Sequence, residues 1–164
     1  MRFHPTLVAT TYDSPLGSIL LAATPSALAG LWFEGQKHQP ASDGWARNPA
    51  HPVLREAARQ LDEYFAGRRT RFDLPLDLQG GTPFQQSVWQ ALLAIPCGQR
   101  TSYAALSARI GSPAAVRAVG AAVGRNPVSI VVPCHRVVGS DGALTGYAGG
   151  IDRKTALLRL EAAA

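Results

Sequence analysis

The spacing of apolar residues changes character at Pro52, and that change constrains the fold more than any other feature. Before it lie three short apolar segments, 6–12, 18–23 and 27–33, separated by Ser14-Pro15-Leu16-Gly17 and Thr24-Pro25-Ser26. Short runs of this kind between turn-forming residues read as strands of an antiparallel meander. After it, Val53, Leu54, Ala57, Ala58, Leu61, Tyr64 and Phe65 recur at helical spacing, and Gly67 ends the run. That pattern predicts an amphipathic helix covering the meander. Residues 35–51, with Gly, Pro, Ser, Asp and Asn, read as a loop that carries no functional signal. Phe72-Asp73-Leu74-Pro75-Leu76 reads as an edge strand, because proline cannot donate to a central ladder.

Gln79-Gly80-Gly81-Thr82-Pro83 divides the chain into an N-terminal αβ part, 1–80, and a C-terminal part, 81–164. The second part is mostly helical. Phe84, Val88, Trp89, Leu92 and Leu93 give one apolar helix face, which Pro96-Cys97-Gly98 terminates. Two helices follow, Ser102 to Ile110 and Ala114 to about Gly124, linked by Gly111-Ser112-Pro113. Ser112 is a natural N-cap and Pro113 suits the first helical position. The pair fits a helix-turn-helix plan. Its second helix carries Arg117 among alanines and glycines. A helix that reads the major groove needs long polar side chains, whereas small residues around one guanidinium suit the minor groove. The fold class is therefore α+β: a three-stranded antiparallel sheet with a helix, then a helical part.

The chemistry concentrates in one stretch. Val128-Ser129-Ile130-Val131-Val132 reads as a buried strand, stopped by Pro133 and followed by Cys134, His135 and Arg136. With Pro133 at the first position of a helical turn, Cys134 would sit where free N–H groups and the helix dipole favour an anion. Beside His135 and Arg136 its thiol is expected to ionise readily, and the thiolate is the nucleophile. Glu161 is the one carboxylate of the second part outside a turn or cap, and is the candidate to orient His135. Asn126, in Arg125-Asn126-Pro127, is a candidate to bind backbone amides of the turn. Cys97 has no base beside it and reads as structural. Tyr147, among the glycines of Leu144 to Gly150, reads as a mobile wall whose backbone can approach a flat ligand. Ser140-Asp141-Gly142 reads as a hairpin turn, and Asp152 as the cap of a last helix.

Charge supplies the partner. The net +5 lies wholly in residues 81–164, which carry eight basic and three acidic side chains, whereas residues 1–80 carry eight of each. No acid occurs between Asp77 and Asp141, a span holding Arg100, Arg109, Arg117, Arg125 and Arg136. Such an imbalance points to a polyanion. No apolar run matches a bilayer span and no signal sequence opens the chain, so a cytoplasmic protein is expected. A helix-turn-helix binding protein without chemistry has no need of a reactive thiol. A Cys–His hydrolase does not call for the acid-free, arginine-rich span.

Ser102-Tyr103, Arg117-Ala118-Val119-Gly120, Arg125-Asn126-Pro127, Pro133 to Val138, Gly146-Tyr147-Ala148-Gly149-Gly150 and Lys154 to Glu161 occur in order. Together they resemble the catalytic domain of the O6-alkylguanine-DNA alkyltransferases, the methylated-DNA–protein-cysteine methyltransferases, over residues 83–161. Residues 1–80 resemble that family's N-terminal domain. The resemblance implies a ribonuclease H-like N-terminal part and a winged-helix-like C-terminal part. It implies DNA repair by one irreversible transfer of an alkyl group from O6-alkylguanine, and from O4-methylthymine, to Cys134. His135 would be a water-mediated base held by Glu161, and Asn126 would brace the turn. Tyr103 would rotate the 3′ phosphate and act near guanine N3. Arg117 would fill the space of the flipped base. Tyr147 would wall the pocket, with Val137, Ala148 and Gly149 at the base and Ala104, Ser112 and Ser140 among the DNA contacts. The implied partner is double-stranded DNA carrying alkylated guanine, bound through the minor groove by a monomer, with clustering on DNA left open. No cofactor is implied. The N-terminal part has no Cys, so the zinc of some relatives is not expected, and Ala148 lacks the hydroxyl that some relatives carry as Ser.

Overall fold

The structure, a computed structural model, describes residues 1–164. Strands β1 (Val8–Ser14), β2 (Gly17–Ala23) and β3 (Leu28–Phe33) form the expected antiparallel meander with β2 in the centre. Gly17 makes the tight β1–β2 turn possible at φ 117°, a conformation L side chains rarely adopt. Alternation along the central strands sorts side chains to two faces. Ile19, Leu21 and Ala23 enter the main core, while Leu20 and Ala22 pack with Trp32 on the other face. The loop 35–51 is not featureless, because β4 (Ala46–Arg47) pairs parallel with β1 at the sheet edge.

Helix α1 (Pro52–Phe65) covers the meander through Leu54, Ala57, Leu61 and Tyr64. His51 caps it by accepting from the Val53 amide, and Gly67 leaves it at φ 75°. The edge strand expected over Phe72–Leu76 shrinks to one bridge, Leu28 to Leu76. Pro75 lends only its carbonyl, to the Leu28 amide, and has no N–H with which to continue a ladder.

The second half opens with α2 (Pro83–Leu93), started by a reciprocal capping box between Thr82 and Gln85. Then come β5 (Thr101–Ser102), α3 (Tyr103–Arg109), α4 (Val116–Gly124), β6 (Val137–Val138, parallel to β5) and α5 (Ile151–Ala162). Trp89 fixes α2 on α4, donating its buried indole N–H to the Ala122 carbonyl at 2.8 Å. One hydrophobic cluster runs from Leu21 and Phe33 through Tyr64 to Trp89, Val119, Val132 and Leu157. The two halves of the sequence therefore share a single core.

Three local expectations are corrected. Ser112 does not cap α4, whose preceding residue is Ala115 with no side-chain cap. Its backbone is instead engaged by Ser107, through the Ser107 carbonyl and hydroxyl. Asp152 lies in the first turn of α5, behind the cap residue Gly150 at φ 94°. Ser140–Gly142 turns the chain, but no second strand follows β6 to make a hairpin.

Candidate active site

Val128–Val132 is not a strand. It is a buried, tightly wound turn, in which the Val132 amide donates to the Val128 carbonyl and Ile130 sits at φ 72°. Asn126 imposes it: its carboxamide donates to the Val132 carbonyl at 2.7 Å and accepts from the Val128 amide at 3.0 Å. A side chain bonding both ends of a five-residue segment overrides the strand preference of its β-branched residues. Pro133 ends the turn at φ −82°, ψ 63°, and so precedes the helical residues rather than starting them. Cys134, His135 and Arg136 form a single 3-10 turn, and all three are buried.

This burial reverses one expectation. The thiol of Cys134 is pushed up from its ordinary pKa because desolvation outweighs the opposing Asn126 side chain and the Lys154 charge. Arg136 does not help ionise it. Its guanidinium turns away and grips Glu161 twice, at 2.8 and 2.9 Å, and the Ile95 carbonyl at 2.6 Å. The resting sulfur is therefore a thiol.

Next to it in the chain, His135 and Arg136 join a buried charge network centred on Glu161. The acid is 3% exposed although it lies three residues from the end of the described chain. Its Oε2 meets His135 Nε2 at 2.7 Å and accepts from the Tyr64 hydroxyl at 2.7 Å. Burial opposes its charge, but hydrogen bonds from His135 and Arg136 prevail and hold its pKa at about 2. A charged Glu161 must accept from Nε2–H, which leaves the lone pair of His135 on Nδ1. Burial lowers the His135 pKa, so the imidazole is neutral. Its Nδ1 has no hydrogen-bond partner in the protein. Of the three buried side-chain polar atoms without a partner, two are His135 Nδ1 and the Tyr147 hydroxyl, and both belong to this region. Native proteins leave few such atoms, and those concentrated beside a nucleophile are available to a reacting group.

In front of Cys134 opens a cavity of about 320 Å³, at the small end of the range for ligand pockets. Tyr103, Gly120, Ala121, Tyr147 and Ala148 line it with the cysteine. Tyr103 is half-buried and donates to the Thr145 carbonyl at 3.3 Å. Burial and the nearby Cys134 raise its pKa, so the phenol keeps its proton. The Tyr147 wall is pinned rather than free. Lys154, fully buried, donates to the carbonyls of Val137 (2.6 Å), Thr145 and Gly146 (both 3.1 Å). The Arg153 guanidinium lies over the Phe33 ring and donates to the Gly149 carbonyl. Gly149 cannot carry a Cβ, which would stand 2.8 Å from the Tyr147 ring.

The expected site residues thus separate into groups. Cys134, Tyr103, Tyr147 and Ala148 share the cavity, Asn126 holds the turn that leads into Cys134, and His135 pairs with Glu161 outside the lining. Val137 and Gly149 support the wall without lining the cavity, and the Val137 carbonyl is held by Lys154. Arg117 is exposed on α4, outside the cavity, and Ala104 and Ser140 are also exposed. Sequence reasoning missed Tyr64, Arg136 and Lys154 as supports. Lys154 was detectable, since Lys154, Leu157, Leu158 and Glu161 fall on one helical face and a lysine does not join an apolar face without partners.

Fold and site together define a class: a mixed α+β protein with a buried thiol lining a small cavity, next in the chain to a buried His–Glu pair, beside a helix pair. Residues 83–163 match the family model for the DNA binding domain of 6-O-methylguanine DNA methyltransferase, and residues 7–78 match that for its ribonuclease-like domain. The chain belongs to this family. A Mycobacterium tuberculosis methylated-DNA–protein-cysteine methyltransferase is 51% identical over 151 residues, covering 92% of this chain and 90% of the relative. The constitutive methylated-DNA–protein-cysteine methyltransferase of Bacillus subtilis is 49% identical over 156 residues, 93% of each chain. The crystal structure of Mycobacterium tuberculosis OGT in complex with DNA superimposes with a TM-score of 0.89 at 49% identity, covering 95% of this chain and 93% of that one. No helix is long and apolar enough to cross a membrane.

Proposed function

We propose that the protein repairs DNA by moving the alkyl group of an O6-alkylguanine onto the sulfur of Cys134. The observation that carries this reading is the buried Cys134 thiol lining the cavity, next in the chain to the buried His135–Glu161 pair. The relatives named as methyltransferases of methylated DNA and of a protein cysteine support it. A base stacked in duplex DNA cannot reach a buried sulfur that lines a cavity, so the nucleotide must flip out.

In the reaction the cysteine proton leaves toward His135 Nδ1, directly or through a water, and Glu161 stabilises the resulting imidazolium. The S–C bond forms as the O6–C bond breaks. Guanine departs as the neutral base by taking a proton at N3 from the Tyr103 hydroxyl. Solvent then restores Tyr103 and removes the extra proton from His135. A thioether sulfur is a poor leaving group, so the alkyl group stays on Cys134 and each molecule acts once, as the family resemblance implies. Arg117, exposed on α4 beside Ala118, Gly120 and Ala121, fills the gap left in the duplex while the small residues approach the minor groove. Residues 1–80 and 81–164 act as structural and reactive units over the shared core.

The test is mass spectrometry after mixing with duplex DNA containing O6-methylguanine. One methyl per protein, located on Cys134 and lost in Cys134→Ala, is the expected result. Repeated turnover, or methyl on Cys97, would refute the mechanism.

A further inference from the structure

The C-terminal half does not enclose the cavity alone. Lys37 and His38, from the loop between β3 and β4, complete its lining together with Arg125. The loop is held in place from both sides. The buried Gln36 side chain accepts from the Phe33 amide at 2.8 Å, and the Lys37 amide donates to the Ala148 carbonyl at 3.0 Å. The first contact ties the loop to β3 and the second ties it to the Tyr147 wall. His38 adopts φ 63°, a left-handed conformation uncommon outside glycine. A backbone of this kind persists where its surroundings over-determine it, and such residues cluster at functional sites.

The charges on this side of the cavity have one sign. Lys37 and Arg125 supply them, His38 joins the lining as a hydrogen-bonding imidazole, and no carboxylate lines the cavity. Partial desolvation, then the charges of Arg125 and Lys37, lower the His38 pKa. Cationic groups gathered around a cavity without a counter-charge attract an anion, and low-dielectric walls strengthen the attraction. Arg125 follows Arg117 by eight residues, about 12 Å along a helix, so this cluster stands at the end of α4 remote from Arg117.

We infer that Lys37, His38 and Arg125 form an anion-binding rim that receives a negatively charged group of the substrate while its base occupies the cavity. The inference rests on the reading of the cavity as the alkylguanine site. Two groups share the required chemistry: a phosphate of the extruded nucleotide and a carboxylate borne by the alkyl substituent. In either case the N-terminal half, through its β3–β4 loop, takes part in substrate selection.

Three substrates separate the possibilities. O6-benzylguanine has neither phosphate nor carboxylate. O6-(4-carboxybenzyl)guanine adds a carboxylate alone. Duplex DNA with O6-methylguanine adds phosphates alone. The rate of Cys134 alkylation is measured by mass spectrometry for the full chain and for the exposed double variants Lys37→Ala/His38→Ala and Lys37→Gln/His38→Gln. Both variants should react with O6-benzylguanine within about twofold of the parent and lose about tenfold on a charged substrate. That loss should shrink as salt is raised. Loss confined to the carboxybenzyl compound assigns the rim to the adduct, and loss confined to the duplex assigns it to the phosphate. Equal loss on all three substrates, or loss on none, overturns the rim. Failure of the parent protein to alkylate Cys134 with any substrate overturns the reading of the cavity itself, and the rim with it.

Discussion

At the scale of single residues, the site depends on how Glu161 divides its hydrogen bonds. Tyr64→Phe removes one of the donors to a buried carboxylate while keeping the ring in the core. The expected cost is about 1–3 kcal/mol in urea unfolding. The carboxylate, less neutralised, should then raise the pKa of His135, measurable by NMR of the imidazole. Arg136→Met leaves Glu161 without its bidentate partner and should cost about 3–5 kcal/mol, as breaking a buried ion pair does. The pH dependence follows from the shifts. The Glu161 pKa is depressed in the folded state, so its contribution is complete above the ordinary value of 4.5 and disappears as pH falls toward about 2. His135 has its pKa lowered by folding, so protonation of the unfolded chain already erodes stability below its ordinary value of 6.5. Thermal unfolding should therefore show a midpoint that declines from about pH 6.5 and drops steeply below pH 4.5. Cys134, His135 and Glu161 were legible as residue types, because few other functional groups occur in that part of the chain. The role of Arg136 was not. Adjacency in sequence suggested a partner for the thiol, and only the winding of the 3-10 turn sends its guanidinium to Glu161 instead.

Elements show where local preference fails. Val128–Val132 has the composition of a strand, and no propensity argument would make it a turn. The deciding term is one carboxamide, that of Asn126, bonded to backbone on both sides of the segment. Asn126→Ala leaves the buried Val128 amide unpaired and the Val132 carbonyl with only the Cys134 amide, and should destabilise the protein by about 1–3 kcal/mol. The same change should slow alkylation of Cys134 by free O6-benzylguanine, because the turn carries the cysteine. Arg117→Ala makes the opposite case. Its side chain is exposed on α4, so repair in duplex DNA should slow by about tenfold or more while the free base reacts as before. Comparison of the two substrates in stopped-flow assays checks both. The helices α1, α3 and α4 were legible from periodicity, since each buries one face, and the β-meander from short apolar runs between turn residues, although β2 and β3 bury both faces. Caps were less so: Ser112 and Asp152 have the right side chains, but neighbouring backbone takes the cap position in each case.

For the whole molecule, the shared core matters more than the boundary near residue 80. Tyr64 of the N-terminal half bonds Glu161 of the C-terminal half, and Leu31 bridges to Val128. Unfolding should be a single cooperative transition by both far-ultraviolet circular dichroism and tryptophan fluorescence. A fragment of residues 81–164 should lose that cooperativity, since it would expose the apolar side of the cluster to water. The raised pKa of the buried Cys134 has a further meaning under the proposed reaction, in which the sulfur is consumed once. A permanently ionised, open thiolate would be spent on any passing oxidant or electrophile, and each such event would remove a repair molecule from the cell. Storing the sulfur as a buried thiol gives the reagent a shelf life, and confines its discharge to a guest that enters the cavity. Iodoacetamide should accordingly label Cys134 more slowly than a free cysteine at neutral pH.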